Sequence, residues 1–215
     1  MRQKELNSRN RRVNDEHEIN VVLSEWGFAR DNGDWEILGN CFQRDAEINI
    51  SWFSGSAVEF IKKSRTMVAE FKTGEHGKHQ IGRSRIRLNG NRAASECHVE
   101  LMRRVVSQPF DFDTTTWGRF FDLFEKREDG VWRIFRRTMV YEKDRLDPVQ
   151  PTHVPDGFFE QMNLSQYPPA CKFLCYRLAL KGYKPKGNII QSGSNGEIRL
   201  KKEAANWLDN IRNLT

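Results

Sequence analysis

The sequence predicts an α+β domain in which helices come first and long antiparallel strands follow. Apolar residues recur every three or four positions between residues 16 and 71, which is typical of amphipathic helices. From residue 79 they recur at every second position, and the turn-forming segments Asn89-Gly90-Asn91 and Asp129-Gly130 separate the later runs. Because no helical pattern intervenes between these runs, we expect hairpin connections rather than βαβ units.

The composition is that of a folded domain outside the membrane. The chain has 215 residues, 38% of them hydrophobic and 30% charged, with 14 Phe and 6 Trp, which is enough for a core without disulfides or metal ions. No apolar run approaches the roughly 20 residues that span a bilayer, and no apolar stretch of signal-peptide length follows the basic N-terminus. The net charge of +6 is spread along the chain. We therefore expect a cytoplasmic protein with no membrane or nucleic-acid partner.

Three regions are predicted along the chain. Residues 1–14 are polar and lack periodicity, which indicates a leader without regular structure, and residues 15–147 form the main domain. Residues 148–215 are punctuated by proline, yet they carry many Phe and Leu side chains. This region is too short for a core of its own, so we expect it to wrap the main domain or a neighbouring subunit.

The helices are predicted from their apolar periods and their end signals. The first contains Ile19, Leu23 and Trp26, begins after a capping Asp15 and ends at Asn32-Gly33. A short second helix lies around Trp35, Leu38 and Phe42, and a third covers residues 57–71. The apolar face of the third helix is formed by four residues: Val58, Ile61, Val68 and Phe71.

The strands follow from alternation and from the turn signals. A first strand is predicted over residues 46–52, and four longer ones over residues 79–89, 92–106, 114–127 and 131–141. The C-terminal region adds an apolar helix over residues 170–182 and a last helix over residues 204–211.

The cysteines indicate neither a metal site nor a disulfide framework. Cys41 and Cys97 are isolated, and the only close pair, Cys171 and Cys175, falls on one helix face in an apolar stretch. No second pair stands at zinc-ribbon spacing. We therefore expect buried, reduced thiols, no metal and no cofactor.

Three motifs, in order and spacing, resemble those of the nuclear-transport-factor-2-like superfamily. They are Asp31-Asn32-Gly33-Asp34-Trp35, His79-Gln80-Ile81-Gly82 and Asp129-Gly130-Val131-Trp132-Arg133-Ile134. Within that superfamily the chain is similar to the SnoaL-like group, which includes scytalone dehydratase and the lindane dehydrochlorinase. Over residues 15–147 the resemblance implies a cone-shaped, curved antiparallel sheet that N-terminal helices close around an apolar cavity.

The resemblance also implies a catalytic pair, Asp31 and His79, because these residues occupy the positions of the acid–base pair in the catalytic members. The chemistry is sound on its own terms. An imidazole with a pKa of about 6.5 is neutral in an apolar pocket and can accept a proton. A carboxylate behind it fixes its tautomer and stabilises the imidazolium, as in a serine-protease triad.

Further residues are predicted to bind the substrate. The dehydratase places tyrosines where this chain has Arg30 and, approximately, Ile50, so a different group must polarise the substrate here. Trp26 is predicted on the helix face that looks into the cone, where it either packs in the core or contacts the ligand. Trp52 and Phe53 are predicted at the rim of the cone. The two remaining candidates lie on strands: His98, as a second base or a solvated residue, and Trp117, on a Phe-rich strand that is mostly core.

These observations favour a cofactor-independent lyase or isomerase that acts on a small apolar or aromatic molecule. Dehydration and carbon–carbon cleavage, including deformylation of lignin-derived aromatics, are both compatible with a His–Asp pair. Two alternatives stay open, since fold does not dictate function: a non-catalytic binding or assembly module, and the small subunit of a ring-hydroxylating dioxygenase. The resemblance implies a homo-oligomer, with a trimer slightly favoured over a dimer.

Overall fold

The N-terminal third of the chain supplies the helices that cover the sheet. The computed structural model describes residues 2–185 and 189–209. Helix α1 spans Arg2–Asn32, α2 spans Trp35–Asn40, and α3 spans Ala57–Ala69. Gly33, with φ +77°, ends α1 in the left-handed conformation that glycine adopts without strain, which confirms the predicted helix end.

The strands lie in one curved, mixed sheet. Their bounds are β1 Phe42–Ile50, β2 Phe53–Ser56, β3 His76–Asn89, β4 Arg92–Val105, β5 Phe112–Lys126, β6 Trp132–Pro148 and β7 Ile190–Gln191. The order is β2-β1-β6-β5-β4-β3, with β7 also paired to β6. Strands β3 to β6 form the predicted antiparallel meander, but β1 and β7 run parallel to β6. The α+β fold with a curved sheet is as predicted, but the sheet is mixed rather than antiparallel throughout. After α3 and strands β3 to β5, strand β6 comes to lie beside β1 in the same direction.

The predicted leader of residues 1–14 is helical wherever it is described. Helix α1 begins at Arg2, and its residues 5–14 are exposed. Good helix formers such as Arg, Lys and Glu continue a helix outward from a packed segment without an apolar period. Asp15 is consequently not a helix cap: its carboxylate accepts hydrogen bonds from Trp132 Nε1 and Lys126 Nζ, each at 2.8 Å.

Helix α3 packs on the sheet with a face that only partly matches the predicted one: Ile61, Val68 and Phe71 contact the core or the cavity, and Val58 does not. Phe60, Ser64 and Met67 are buried, whereas Val58 is 67% exposed. Ser64 lies on the buried face, although it is not apolar. A prediction from apolar residues alone therefore placed the buried face of the helix about one residue further along the chain.

The C-terminal region packs against both faces of the sheet. Helix α4, Lys172–Leu180, places Leu174 and Leu178 in the main core on the concave face. Helix α5, Asn195–Asp209, packs Ala204 and Leu208 against the outer face, where Phe121 is among the buried residues. The last two residues of the helix predicted over residues 204–211 lie outside the described residues.

All four cysteines are buried free thiols, with the Sγ atoms of Cys171 and Cys175 3.8 Å apart. None of the helices in the described ranges is both long enough and apolar enough to cross a bilayer.

Candidate active site

A cavity of about 130 Å³ lies between the concave face of the sheet and helices α1, α3 and α4. Its volume is close to the ~150 Å³ of a cavity that holds benzene. Aromatic and aliphatic side chains form much of its wall, including Trp52 and Phe60 on one side and Phe120 on another. The space therefore fits a molecule with about one ring.

The close packing of α1 on β3 brings the predicted pair to the cavity wall. Gly27 makes this approach possible: a Cβ there would lie 3.1 Å from Ile81 Cδ1 and 3.7 Å from the His79 carbonyl oxygen. Asp31, in the last turn of α1, then meets His79, near the start of β3. Its Oδ1 lies 2.6 Å from His79 Nδ1, and its Oδ2 accepts a hydrogen bond of 2.7 Å from the His79 backbone N–H.

This two-point contact fixes the imidazole ring. Both side chains are 15% exposed, and Trp26 packs edge-on against the ring with centroids 5.2 Å apart. Because Nδ1 donates to the carboxylate, the neutral ring carries its lone pair on Nε2. Within residues 2–185 and 189–209, Nε2 has no hydrogen-bond partner, so it is available to a substrate.

The charge states of the pair suit a neutral base, His79, and an ionised carboxylate, Asp31, that supports it. Burial lowers the pKa of His79, against the raising effect of Asp31, and the charges of Arg30 and Arg103 lower it further. For Asp31, burial raises the pKa, but the contacts with His79 and the charge of Arg30 outweigh it and leave it below its usual value. At pH 7 the imidazole is therefore neutral and the carboxylate ionised.

Of the seven residues predicted to bind the substrate, Trp26, Arg30, Ile50 and Trp52 line the cavity. Phe53 does not: it is 2% exposed and packs in the core against Trp52 and Phe60, with ring centroids 5.8 Å from each. As the first residue of β2, it points behind Trp52 rather than to the rim.

The two predicted strand residues face away from the cavity. His98 is exposed, because its neighbours Cys97 and Val99 occupy the concave face of β4. Trp117 follows Thr116, which lines the cavity, so its own side chain lies on the opposite face, with Lys143 Nζ 5.0 Å from the ring centroid. Placement in the pocket is therefore wrong for Trp117, and for His98 the structure shows the solvated alternative.

Sequence analysis missed three arginines of the cavity wall, Arg103, Arg137 and Arg177. For Arg103 and Arg177 the sequence pattern carried a signal. Arg103 stands at even spacing from Val99 and Leu101 on β4, and all three line the cavity. Arg177 falls one helical turn after Leu174 and next to Leu178, both of which also line it.

In the part of the chain that the structure describes, no group of three or more His, Cys, Asp or Glu side chains is arranged to hold a metal ion.

Helices packed over the concave face of a curved sheet, with a His–Asp pair in the enclosed cavity, define a protein of the nuclear-transport-factor-2-like fold class. More narrowly, the chain belongs to the SnoaL-like domain family, which matches residues 11–138. Both findings confirm the resemblance that the three sequence motifs indicated.

Individual relatives agree with this assignment. Pea pathogenicity protein 2 of Fusarium vanettenii is 28% identical over 159 residues, which cover 74% of this chain and 66% of that protein. A proposed scytalone dehydratase from Novosphingobium aromaticivorans shares the fold with a TM-score of 0.54 at 18% identity, covering 62% of this chain and 88% of that one. A hexachlorocyclohexane dehydrochlorinase, LinA type 2, has a TM-score of 0.54 at 16% identity, covering 68% and 97%.

Proposed function

We propose that the chain is a cofactor-independent lyase or isomerase in which His79 is the general base and Asp31 its supporting acid. The observation that carries this proposal is the 2.6 Å contact between Asp31 Oδ1 and His79 Nδ1 at the wall of a small, largely enclosed cavity. A neutral imidazole held in one orientation, with Nε2 facing the cavity, is suited to removing a proton from carbon.

The proton transfer needs only these two side chains. Nε2 accepts a proton from a substrate carbon, and the imidazolium that forms is stabilised by the Asp31 carboxylate. The electron pair left on carbon then expels a leaving group from the neighbouring atom, or takes up a proton at another carbon. The first outcome is an elimination and the second an isomerisation.

The relatives favour the elimination. A dehydratase and a dehydrochlorinase, as two of the structural relatives are named, both form a double bond by loss of a small molecule. At 16–18% identity these relatives share the fold alone, so the substrate is argued from this cavity: a molecule of about one ring, apolar over much of its surface.

The test measures the exchange of carbon-bound hydrogen for solvent deuterium, with NMR as the readout. The candidate substrates are a panel of single-ring aromatic ketones, alcohols and carboxylates. We expect the wild-type chain to catalyse exchange or elimination, and His79→Asn to reduce the rate by about 10²–10⁴, the usual worth of a positioned base. His98→Asn is the matched control, since His98 is an exposed histidine on the next strand. It should keep the wild-type rate.

Two results would contradict the proposal. Equal rates for the wild type and His79→Asn would show that another group is the base. Saturable binding of panel members without any exchange by the wild type would instead favour a binding module.

A further inference from the structure

Three arginines from three separate elements converge on the cavity that holds His79. Arg30 comes from the end of α1, Arg103 from β4 and Arg177 from α4. Arg30 and Arg177 are each only 6% exposed. Gly77 on β3 is part of this arrangement, because any Cβ there would overlap the Arg103 guanidinium.

In the described ranges none of these three guanidinium groups forms an ion pair within 4.0 Å. The nearby carboxylates are already engaged: Asp31 binds His79, and Glu75 binds Lys181 Nζ at 2.5 Å. Arg103 instead lies over the Phe71 ring, 4.0 Å from its centroid. The Arg177 Nε–H is buried with no hydrogen-bond partner. Burial and the like charges of Arg177 and Arg30 lower the pKa of Arg103 to about 9.

Another arginine of the same cavity shows how a structural one is satisfied. Arg137 is fully buried, and Asp122 accepts two hydrogen bonds from it at 2.8 and 2.7 Å. Its charge is thus paired directly, whereas Asp31 and Glu75 act on Arg30, Arg103 and Arg177 only from beyond ion-pair distance and are outnumbered by the three arginines. Buried charges without partners are costly, so such a cluster is expected where a ligand supplies the opposite charge.

The remaining orphan groups point the same way. Besides Arg177 Nε, three atoms of cavity-lining residues are buried without a partner: Trp26 Nε1, Arg137 Nη1 and Thr116 Oγ1. Each of these can donate a hydrogen bond, and the indole and guanidinium groups can do nothing else. These donors have no acceptor in the described ranges, and the oxygens of a ligand would supply one.

We propose that the substrate is a small carboxylate, with about one ring, whose anionic group is bound by Arg30, Arg103 and Arg177. This inference rests on the proposed function and specifies its substrate class. A carboxylate is ionised at neutral pH, so it offsets the repulsion among the arginines in the ground state, and the planar guanidinium matches its two oxygens. An ordinary phenol, with a pKa of about 10, brings no such charge.

The same arginines would act during proton removal. When the C–H bond on the carbon next to the carboxylate breaks and an N–H bond forms at His79 Nε2, the electron pair spreads onto the carboxylate oxygens. Guanidinium groups already in place stabilise that added charge without reorganisation. Binding and acidification of the substrate thus fall to one cluster.

The probe is benzoate, with benzyl alcohol as an uncharged analogue of the same ring, titrated by calorimetry at one ionic strength. In the wild type we expect benzoate to bind at least about tenfold more tightly than benzyl alcohol, since one charge-assisted hydrogen bond is worth that factor. Arg177→Met and Arg103→Met should each weaken the affinity for benzoate by about tenfold or more and leave the affinity for benzyl alcohol nearly unchanged. The control is Arg87→Met, which removes the same charge from an exposed position on β3.

Thermal unfolding keeps the experiment interpretable. Because Arg177→Met removes a buried charge that has no ion-pair partner in the described ranges, it should melt at or above the wild-type temperature. Arg103 is half-buried against Phe71, so Arg103→Met should melt close to the wild-type temperature. Equal affinity for benzoate and benzyl alcohol in the wild type would overturn the inference. So would benzoate affinities in the pocket variants that match Arg87→Met.

Failure of the inference is distinguishable from failure of the proposed function. Hydrogen exchange that depends on His79 but occurs only with uncharged panel members would overturn the proposal of a carboxylate substrate. It would leave the proposal that His79 is the general base intact. Benzoate binding that depends on the arginines, together with an exchange rate that His79→Asn does not change, would support the anion site. It would overturn the proposal that His79 is the general base.

Discussion

Asp31→Asn isolates the contribution of the carboxylate to the base. In the wild type, Oδ2 accepts from the His79 backbone N–H at 2.7 Å while Oδ1 faces Nδ1 at 2.6 Å. An asparagine has one oxygen, and keeping the backbone hydrogen bond turns its amide NH₂ toward Nδ1. Nδ1 must then accept, so the ring proton moves to Nε2 and the lone pair that faces the cavity is lost.

The expected cost follows from that tautomer change. The equivalent carboxylate-to-amide change in a serine-protease triad costs about 10⁴ in kcat, and we expect a loss of about 10³–10⁴ in the exchange rate here. Loss of the carboxylate also lowers the pKa of His79 further, because Asp31 is the group that raises it. The free energy of unfolding should fall by about 1–3 kcal/mol, the worth of a hydrogen bond to a charged group.

Two measurements check this reasoning. The exchange rate of the variant is compared with that of the wild type, and ¹⁵N NMR of the imidazole reports which nitrogen carries the proton. We expect Nδ1–H in the wild type and Nε2–H in the variant. A variant that shows the tautomer change yet exchanges within about tenfold of the wild-type rate would refute the role given to Asp31.

Two further predictions concern pH and the buried ion pair. Since burial lowers the pKa of His79 below 6.5, the exchange rate should rise with pH through that lowered pKa and be level above 6.5. Between that lowered pKa and pH 6.5 the unfolded chain binds more protons than the folded chain. The stability that neutral His79 contributes is therefore complete above pH 6.5 and is lost as the pH falls through this range. Urea titrations of the wild type and His79→Asn at several pH values measure the loss. Separately, Asp122→Asn leaves the fully buried Arg137 uncompensated and should cost about 3–5 kcal/mol in urea unfolding. A cost below about 1 kcal/mol would show that the pair is not needed for stability.

The sequence was sufficient for features that depend on local signals. The end of α1 at Asn32-Gly33 and the hairpin at Asn89-Gly90-Asn91 follow from turn chemistry, and both are present. The contact between Asp31 and His79 came from motif resemblance rather than from periodicity, and its geometry is confirmed. Its catalytic role stays a prediction.

Alternation along a strand separates two faces but does not say which one is concave. On β5 this distinction matters, because α5 covers the outer face and makes it apolar as well. Phe120 therefore lines the cavity while Phe121 packs under α5. A bulge between Trp117 and Gly118 interrupts the β5–β6 register near this point, so the face of Trp117 could not be read from its Phe-rich neighbours.

The arginine cluster escaped prediction for a different reason. Arg30, Arg103 and Arg177 are more than 70 residues apart from one another in the chain, and only the folded sheet and the returning α4 bring them to one cavity. Each fits a local pattern by itself. Their shared lack of acidic partners is visible only in three dimensions.

The cavity wall is built from two stretches of chain, one inside the family match and one that follows it. The family match ends at residue 138, and the His–Asp pair lies inside it. Tyr141, Leu174, Arg177 and Leu178 come after that boundary, yet they line the same cavity. Substitutions in α4 would thus reshape the cavity from a segment outside the matched domain, while the contact between Asp31 and His79 is made entirely inside it.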